Sequence, residues 1–274
     1  MLARERQSYI AERVRDRGAV RVSDLTRELN VSDMTVRRDL DRLAKQGLVD
    51  KVHGGATVPG RNSTDEPGFE TKSARERTEK DAIAVAATTL VRPGFAVGLS
   101  AGTTTWRLAQ QLLDVPGITV VTNSVQIATV FYQSPRPDQT VVLTGGVRTP
   151  SDALVGPIAV ATLRSLNLDI VFLGVHGMDE LTGFTSPNLL EAETSRALAQ
   201  SGRRLVVVAD HTKWGVIGIS TIAALEDADV VVTDAGLHPD ALEVLTQRVG
   251  DVMVCPVAAA PVVAITGVPG AVVS

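Results

Sequence analysis

The chain has 274 residues, of which 44% are hydrophobic, 21% charged and 3% aromatic, and its net charge is −4. This is a globular composition that leaves few rings for stacking on single-stranded nucleic acid. The single cysteine, Cys255, excludes an internal disulfide framework and a multi-cysteine zinc site. The N-terminus lacks the apolar core of a signal peptide, and no stretch approaches the roughly 20 apolar residues of a membrane span. We therefore expect a cytoplasmic protein with no membrane partner.

Charge is distributed unevenly along the chain. Residues 1–57 hold 12 Lys/Arg and 9 Asp/Glu, so the remaining residues hold 15 and 22. A basic module joined to an acidic body is expected where one end of a protein meets a polyanion. The length also favours two domains. We predict a small domain over 1–57, a linker over 58–72, a larger domain over 73–255 and a low-complexity tail over 256–274.

Three short helices are predicted within the first 50 residues. The first spans 4–16 and stops at Gly18, Ser23 caps the second, and Ser32 caps the third. Their apolar stripes include Ile10, Ala11 and Val14 in the first helix, Leu25 and Leu29 in the second, and Val36, Leu40 and Leu43 in the third. The alternating segment 48–55 ends in a glycine pair, which predicts a short hairpin or wing.

The third helix carries polar and basic residues opposite its apolar stripe. Major-groove recognition needs a capped helix whose first turns reach base edges and phosphates. Arg37 and Arg38 diverge by about 100°, so one can contact a base while the other holds a phosphate. Wing residues would contact the flanking backbone or minor groove. The candidate DNA-binding residues are Ser32, Met34, Thr35, Arg37, Arg38, Arg42, Lys51 and His53. In an alternative interpretation the unit binds protein, and both arginines are merely solvated beside Asp39 and Asp41.

The second domain alternates apolar, mostly β-branched runs with helical stretches. Such runs are typical of buried parallel strands, and the repeated βα rhythm predicts an α/β fold with a doubly wound, mostly parallel sheet. The predicted strands are 95–99, 119–122, 140–143, 170–175, 205–209 and 230–233. The predicted helices are 104–113, 124–131, 188–200 and 239–249.

Glycine and hydroxyl residues follow three of these strands, in the turns 100–105, 122–124 and 144–146. Open α/β sheets bind ligands at their strand ends, and a helix N-terminus after glycine favours an anion. Lys213, after another strand, could neutralise a phosphate. Ordinary capped turns and a solvent-exposed lysine are the alternatives.

Two carboxylates complete the candidate site. Asp179 follows the strand 170–175, a position suited to hydroxyl recognition or, in an enzyme, to proton transfer. Glu191 lies in the first turn of a helix, where ligand contact and stabilisation of the helix dipole are equally good explanations. Without a paired base, catalysis is disfavoured.

The segment VSDLTRELNVSDMTVRRDLDRLAKQGLVDKVHGGAT resembles the winged helix-turn-helix of DeoR-family repressors. AVGLSAGTTTWRLA, VVTNSVQIA, LTGGV and VVVADHTKWG resemble, in the family's order, its sensor domain, so the resemblance covers residues 4 to about 250. That sensor is similar to the pentose-phosphate isomerase and sugar-phosphate deaminase fold but acts as a ligand receptor. The effector contacts implied by the resemblance are Ser100, Gly102, Thr103, Thr104, Asn123, Gly145, Gly146 and Lys213. Many members have an aspartate where this chain has Ser100, so a carboxylate for sugar hydroxyls is missing there.

The resemblance implies a transcriptional repressor of a carbohydrate catabolic operon, with no enzymatic activity and no cofactor. A homo-oligomer would bind double-stranded operator DNA and release it when a phosphorylated sugar or related metabolite binds. One alternative is a sugar-phosphate isomerase or deaminase with a regulatory module, using Asp179, Glu191 or Asp210 as base. Another is a scaffold protein whose winged helix binds only protein.

Overall fold

The computed structural model describes residues 2–17, 19–52, 54–57 and 68–256. An N-terminal winged helix-turn-helix domain precedes an α/β domain. The elements of the first domain are α1 (Ala3–Arg17), β1 (Ala19–Arg21), α2 (Val22–Leu29), α3 (Asp33–Lys45), β2 (Asp50–Val52) and β3 (Gly55–Thr57). Strand β3 lies between β1 and β2 in a small antiparallel sheet.

The three helices and the wing agree with the sequence prediction. The predicted stripe residues Ile10, Val14, Val36 and Leu40 are all buried in one core. The wing is the hairpin of β2 and β3, in which Val52 pairs with Gly55.

The predicted cap of α2 is wrong. Ser23 lies inside the first turn, and Arg21 occupies the cap position without a side-chain hydrogen bond. The reason is β1, which runs directly into the helix, since the Val22 amide donates to the Gly54 carbonyl of the wing at 2.8 Å. Gly18, the predicted stop of α1, lies outside the described residues.

The second domain contains longer alternations of helix and strand. Its elements are α4 (Phe69–Ala74), α5 (Arg77–Thr88), β4 (Ala96–Leu99), α6 (Thr103–Gln111), β5 (Thr119–Thr122), α7 (Val125–Gln133), β6 (Thr140–Leu143), β7 (Val147–Arg148), β8 (Leu154–Val155), α8 (Pro157–Arg164), β9 (Ile170–Gly174), β10 (Gly177–Asp179), β11 (Gly183–Ser186), α9 (Leu189–Ser201), β12 (Leu205–Val208), β13 (Ser220–Ala223), β14 (Val230–Asp234), α10 (Pro239–Arg248) and β15 (Val252–Cys255). Short 3-10 turns occupy Leu112–Asp114, His211–Lys213 and Leu225–Asp227.

The large sheet is parallel throughout the described residues and has the strand order β15-β14-β12-β9-β4-β5-β6. Starting from β4, the chain adds strands first on one side and then, from β9, on the other. This is the predicted doubly wound arrangement, with its switch point between β4 and β9. Helices cover both faces, where two apolar clusters form the core.

Several elements were not predicted. They are the helices α5 and α8, the edge strand β15 and the small antiparallel sheet β10-β11-β13. Part of the predicted linker is also helical, because α4 begins at Phe69, whose ring packs edge-on against Trp106 with centroids 5.8 Å apart. Residues 58–67 and 257–274 lie outside the described part. Within that part, no helix combines the length and hydropathy that membrane crossing requires.

Candidate nucleic-acid interface and effector site

The outer face of α3 is the candidate DNA-reading surface. The predicted cap is present, because the Ser32 Oγ accepts a hydrogen bond from the Thr35 amide at 3.3 Å. The two side chains also lie within hydrogen-bond distance, with their hydroxyl oxygens 2.9 Å apart. Met34 is 61% exposed in the same turn. A capped helix start with outward side chains is the geometry that major-groove reading requires.

The arginines of α3 lie on the protein surface. Arg37, Arg38 and Arg42 are all exposed. The Arg37 Nε is 2.5 Å from Oδ1 of Asp33, one turn earlier. Among the residues that the structure describes, Arg38 and Arg42 form no ion pair. Their guanidinium groups are accessible to a phosphate or a guanine edge, although DNA contact itself stays a prediction.

The protein-binding alternative placed Asp39 on the surface beside the exposed arginines, but the structure places its side chain in the interior. Its side chain is 2% exposed, and its carboxylate accepts hydrogen bonds from Arg6 Nε at 2.5 Å and Gln7 Nε2 at 2.7 Å. Both donors belong to α1. The contact therefore fixes α3 against α1 and sets the direction of its outer face.

An ion pair joins the wing to the same helix. Lys51 Nζ lies 2.5 Å from Oδ1 of Asp41, and this hydrogen bond lowers the pKa of the Asp41 carboxyl. Lys51 remains exposed at the surface. His53, the other candidate of the wing, lies outside the described residues.

The predicted effector residues gather where the parallel strands end. Ser100 to Thr104 follow β4, and Gly174 ends the neighbouring β9. A Cβ atom on Gly102 would lie 3.9 Å from the Gly174 Cα and 3.0 Å from Oγ1 of Thr105. The glycine therefore lies directly at the switch point, the place where open α/β sheets bind ligands.

Cross-strand hydrogen bonds hold this turn in place. The Ser100 Oγ accepts from the Gly174 amide at 2.9 Å, and the Ala101 amide donates to Oδ1 of Asn123 at 2.8 Å. Asn123 in turn donates to the Leu154 carbonyl at 3.1 Å. Ser100 and Asn123 thus position the turn, and the Ser100 hydroxyl keeps a proton that it can donate to a ligand oxygen.

Within the described part of the chain, no side chain caps the start of helix α6. Gly102 occupies the cap position, whereas the Ser124 side chain caps the adjacent α7. Thr103 and Thr104 form the first turn and are 7% and 6% exposed. A helix start whose first amides lack a side-chain acceptor, and whose dipole is positive, is suited to an anion.

The glycines after β6 adopt backbone angles that favour glycine. Gly145 has a φ of 74° and Gly146 a φ of 121°. A Cβ atom on Gly146 would lie 2.6 Å from the Val155 carbonyl oxygen. Close packing against β8 therefore explains Gly146 without a ligand, whereas Gly145 faces the looser neighbourhood of Ile158 at 3.5 Å.

Lys213 ends the 3-10 turn after β12, two strands away from β4. Asp210 precedes this turn and is fully buried. Its Oδ1 accepts from the Thr212 amide at 3.1 Å, whereas its Oδ2 has no hydrogen-bond partner among the described residues. A buried, unpartnered carboxylate oxygen normally has a specific reason to exist, and a ligand hydroxyl would satisfy it.

Sequence analysis missed Lys80, which lies within electrostatic range of Asp210 and Lys213. Its side chain is 2% exposed, and its Nζ donates to the Lys72 and Arg75 carbonyls at 2.8 and 2.5 Å. Burial lowers its pKa to about 8. Helical spacing could have identified Lys80 as unusual. Position 80 falls on the buried stripe of Ile83, Ala84 and Ala87, where a lysine is rare.

The two carboxylates of the predicted site have partners in other parts of the molecule. Glu191 accepts hydrogen bonds from the hydroxyls of Thr149, at 2.6 Å, and Ser151, both in the β7–β8 connection. Asp179 accepts from the Leu181 amide at 2.9 Å, and its Oδ2 lies 3.5 Å from Arg21 of the N-terminal domain. The structure thus brings Asp179 to the contact between the domains.

That contact involves α2 and its preceding strand. The Arg21 guanidinium lies 5.3 Å from the ring centroid of Trp214, the residue after Lys213. Arg27 Nη1 donates to Oδ2 of Asp240 at 2.7 Å. Residues of both domains line a cavity of about 280 Å³ beside these pairs.

The 3-10 turn that carries Lys213 is anchored to β14. The His211 amide donates to Oδ2 of Asp234 at 2.8 Å, and the His211 Nδ1 lies 2.8 Å from its Oδ1. The hydrogen bond to Asp234 raises the pKa of His211. The turn that carries Lys213 and precedes Trp214 is therefore held at its base.

Comparison with known proteins agrees with both parts of this description. Residues 6–62 match the model of the DeoR-like helix-turn-helix domain, and residues 75–235 match that of the DeoR C-terminal sensor domain. The uncharacterized HTH-type transcriptional regulator YgbI of Escherichia coli K12 is 37% identical, over 90% of this chain and 96% of its own. The glycerol-3-phosphate regulon repressor of the same strain is 29% identical, over 89% and 96%. A ribose-5-phosphate isomerase in complex with phospho-erythronic acid has a TM-score of 0.38 at 15% identity, covering 51% of this chain and 54% of that one.

The similar full-length proteins are transcriptional regulators, which rejects the isomerase or deaminase alternative. The two family models together account for the winged helix and for most of the sheet with its strand-end turns. The chain is a member of the DeoR family of transcriptional regulators.

Proposed function

We propose that the protein represses a carbohydrate catabolic operon and leaves its operator when a phosphorylated sugar or related metabolite binds. The observation that carries the proposal is the uncapped glycine turn at the switch point, on the sheet edge where Lys213 follows β12. A similar protein is named as the repressor of a glycerol-3-phosphate regulon, which supports a role in regulating the metabolism of a phosphorylated compound. In this proposal, residues 1–57 form the DNA-binding domain and residues 73–255 form the effector-sensing domain. Residues 58–72 connect the two domains, and residues 256–274 form a C-terminal tail.

DNA binding is assigned to the exposed face of α3 and to the wing. Arg38 and Arg42 would contact phosphates or bases directly. Arg37 would leave its ion pair with Asp33 and form a contact with DNA instead. Lys51 would add sequence-independent affinity, because backbone contacts position the protein without reading bases. The proposed DNA-binding residues are Ser32, Met34, Thr35, Arg37, Arg38, Arg42, Lys51 and His53. Since operators are commonly two half-sites, at least two copies would bind together.

The effector's phosphoryl group would lie at the start of α6. Amides of the first turn and the Ser100 and Thr104 hydroxyls would donate to it, and the Lys213 ammonium would balance its charge. Lys80 would add a second positive charge from α5. The proposed contacts of the first turns are Ser100, Gly102, Thr103, Thr104, Asn123, Gly145 and Gly146.

The carboxylates would recognise the sugar and transmit its binding. Glu191 already accepts hydrogen bonds from two hydroxyl groups, which are the type of donor that a sugar also presents. Asp179 would act through Arg21, its partner in the N-terminal domain. Because Trp214 directly follows Lys213, movement of that turn would shift the Arg21 contact. A tenfold change in operator affinity needs only about 1.4 kcal/mol of coupling.

The first experiment tests DNA binding. Fluorescence anisotropy would follow the full chain as it binds labelled DNA from upstream of its own gene, with a shuffled duplex as control. We expect tighter binding to the upstream DNA and a linear fall of log affinity with log salt concentration, because bound arginines and lysines release counterions. Equal affinity for both duplexes, or no binding, would overturn the proposal.

The second experiment tests effector class. A thermal-shift screen would compare glycerol 3-phosphate and several sugar phosphates with the same compounds lacking phosphate. A ligand that binds only the native state raises Tm, so at least one phosphorylated compound should do so while its unphosphorylated match does not. That compound should also release the labelled DNA. Stabilisation by unphosphorylated sugars alone would remove the phosphate from the proposal.

A further inference from the structure

The outer edge of β6 has features of a strand that pairs with another chain. Among the described strands, β6 pairs only with β5, and Val141 and Leu143 are 36% and 42% exposed. Residues 139–147 contain no charged residue and no proline. Edge strands that stay unpaired usually carry charge, proline or a bulge, because their free amides and carbonyls form a template for another strand.

The hydrogen bonds of β6 identify which groups face this open edge. The Thr140 and Thr144 amides donate inward, to the Ile118 and Thr122 carbonyls, each at 3.1 Å. Because successive residues of a strand alternate in direction, the amides and carbonyls of Val141 and Leu143 point outward. An identical antiparallel strand centred on Val142 would place residue 141 opposite 143 of the second copy, and 143 opposite 141. Each pairing exchanges two hydrogen bonds, so the arrangement is self-complementary.

The surroundings of the strand are suited to a self-contact. The nearest charges are already paired within the chain, Arg136 with Asp138 at 3.0 Å and Arg148 with Asp152. Two copies related by a two-fold axis would therefore not bring unpaired like charges together. Beside the strand, Tyr132 of α7 is 84% exposed and borders an apolar groove shared with Val141 and Leu143. A partner's equivalent groove and tyrosine would cover this surface.

We propose that a second copy of this chain pairs with β6 in antiparallel register centred on Val142, so that one sheet runs through both subunits. The choice of a second copy rests in part on the proposed function, since two operator half-sites need two winged helices. The interface itself is defined by the edge, its outward hydrogen-bonding groups and its balanced charge.

A cysteine scan tests the register in the full chain. In an antiparallel pair the Cα atoms of residues 142 would lie about 4.5 Å apart, within disulfide range. We expect Val142→Cys to give a disulfide-linked dimer on mild oxidation. Val141→Cys and Leu143→Cys should not, because each faces the other position and its own counterpart lies beyond the roughly 7 Å limit. The wild type is the background control, since its Cys255 is buried. No cross-link above background for Val142→Cys, or equal cross-linking at all three positions, would overturn the register.

Charge substitution tests the interface without cross-linking. V141K/L143K places lysines opposite lysines, so sedimentation velocity should show at least tenfold weaker self-association than in the wild type. V141E/L143K places glutamate opposite lysine across the axis and should restore association. Val254→Lys on the other edge strand, β15, at a residue that is 42% exposed, should leave the wild-type mass unchanged. Circular dichroism melting must show the same folded state in all variants.

Three outcomes contradict the proposal: a monomeric wild type, a V141K/L143K variant that associates like the wild type, or dissociation by Val254→Lys alone. Failure of V141E/L143K to restore association rejects the antiparallel register. All masses are measured without DNA or effector, which separates this inference from the proposed function. A monomer that binds operator DNA overturns the interface alone, and a cross-linked dimer that binds no DNA overturns the proposed function alone.

Discussion

The candidate DNA-reading surface of α3 and the turns at the strand ends differ in how they present polar groups. The Arg37 side chain is 53% exposed and pairs with a carboxylate one turn away. In the strand-end turns, Ser100 and Asn123 are 2% and 4% exposed and hold fixed hydrogen bonds. DNA is large and reaches exposed cations through its field, whereas a small anion must be desolvated and needs groups already in place. Substitutions should therefore remove a contact in the first region and disturb a preformed geometry in the second.

The largest effect is expected where the reading surface depends on a buried group. Asp39→Ala would leave Arg6 partly buried without its carboxylate, and breaking such a pair costs about 3–5 kcal/mol. Hydrogen exchange of N-terminal amides should show that loss. The matched control, Asp33→Ala, removes an exposed pair and should change stability by less than about 1 kcal/mol. Equal losses of stability in the two variants would contradict the conclusion that Asp39 supports α3 from the interior whereas Asp33 forms only a surface ion pair.

The pH dependence of stability tests the buried cation of the second region. Lys80 has a pKa of about 8 in the folded protein, below its ordinary value of 10.5. Its charge destabilises the fold below pH 8, and this penalty is relieved as the pH rises from 8 to 10.5. The wild type should therefore gain up to roughly 3 kcal/mol relative to Lys80→Met across that window. Urea unfolding at several pH values measures the difference, and parallel curves for the two proteins would disprove burial of the charge.

Lys213→Ala should separate sensing from DNA binding. Loss of one charge-assisted hydrogen bond should weaken effector affinity by about 1.5–3 kcal/mol, while operator affinity without effector stays unchanged. Calorimetry with the effector from the thermal-shift screen and anisotropy with operator DNA measure the two quantities. Arg203→Ala, in which an arginine with an 80% exposed side chain is removed from the same domain, is the control. A normal effector response of Lys213→Ala would place the phosphate elsewhere.

Arg38→Ala should give the reverse pattern. We expect operator affinity to fall by about 1–3 kcal/mol and the salt slope to decrease by about one if the side chain holds a phosphate. The exposed Arg164 of α8 provides the control, and Arg164→Ala should bind DNA like the wild type. Anisotropy titrations at several salt concentrations check both. An unchanged affinity would remove Arg38 from the interface.

The smallest effect is expected at the contact that joins the two regions. Arg21→Ala removes a partly exposed ion pair and a cation–π contact, together worth about 1 kcal/mol or less. Effector binding and operator binding should each stay near wild type, but more effector should be needed for half-release of DNA. Arg21→Lys keeps the charge, so the effector concentration that it needs for half-release should lie between those of the wild type and Arg21→Ala. Release identical to wild type would show that coupling uses another path.

Local sequence patterns predicted the first domain well because its core consists of apolar side chains that recur at helical spacing within short segments. Ile10, Val36 and Leu40 could be assigned to one core from helical spacing alone. Ser32 could be identified as the cap of α3 because it directly precedes that helix's apolar stripe. Ser23 failed as a cap because β1, formed by contact with the distant wing, starts α2 two residues earlier. In the second domain, buried β-branched runs identified most parallel strands. The edge strand β15 was not predicted, and of its four residues only Cys255 is buried.

The candidate effector site was only partly predictable, because part of it depends on contacts between residues far apart in the sequence. Glycine and hydroxyl turns are visible in the sequence, and the switch point follows once strands alternate with helices. The Lys80 ammonium reaches Asp210 and Lys213 across 130 residues of sequence, a proximity that only the folded topology creates. Likewise, no pattern near Asp179 indicates its pairing with Arg21.

The sensor domain holds the winged helix through Arg21 and Arg27, on the side of β1 and α2, and leaves the arginines of α3 uncovered. Under the proposed function, this arrangement favours release by a change in the angle or separation of two winged helices over release by covering α3. Loss of both the Arg21 and the Arg27 contact would then leave DNA binding intact but uncouple it from binding of the proposed effector.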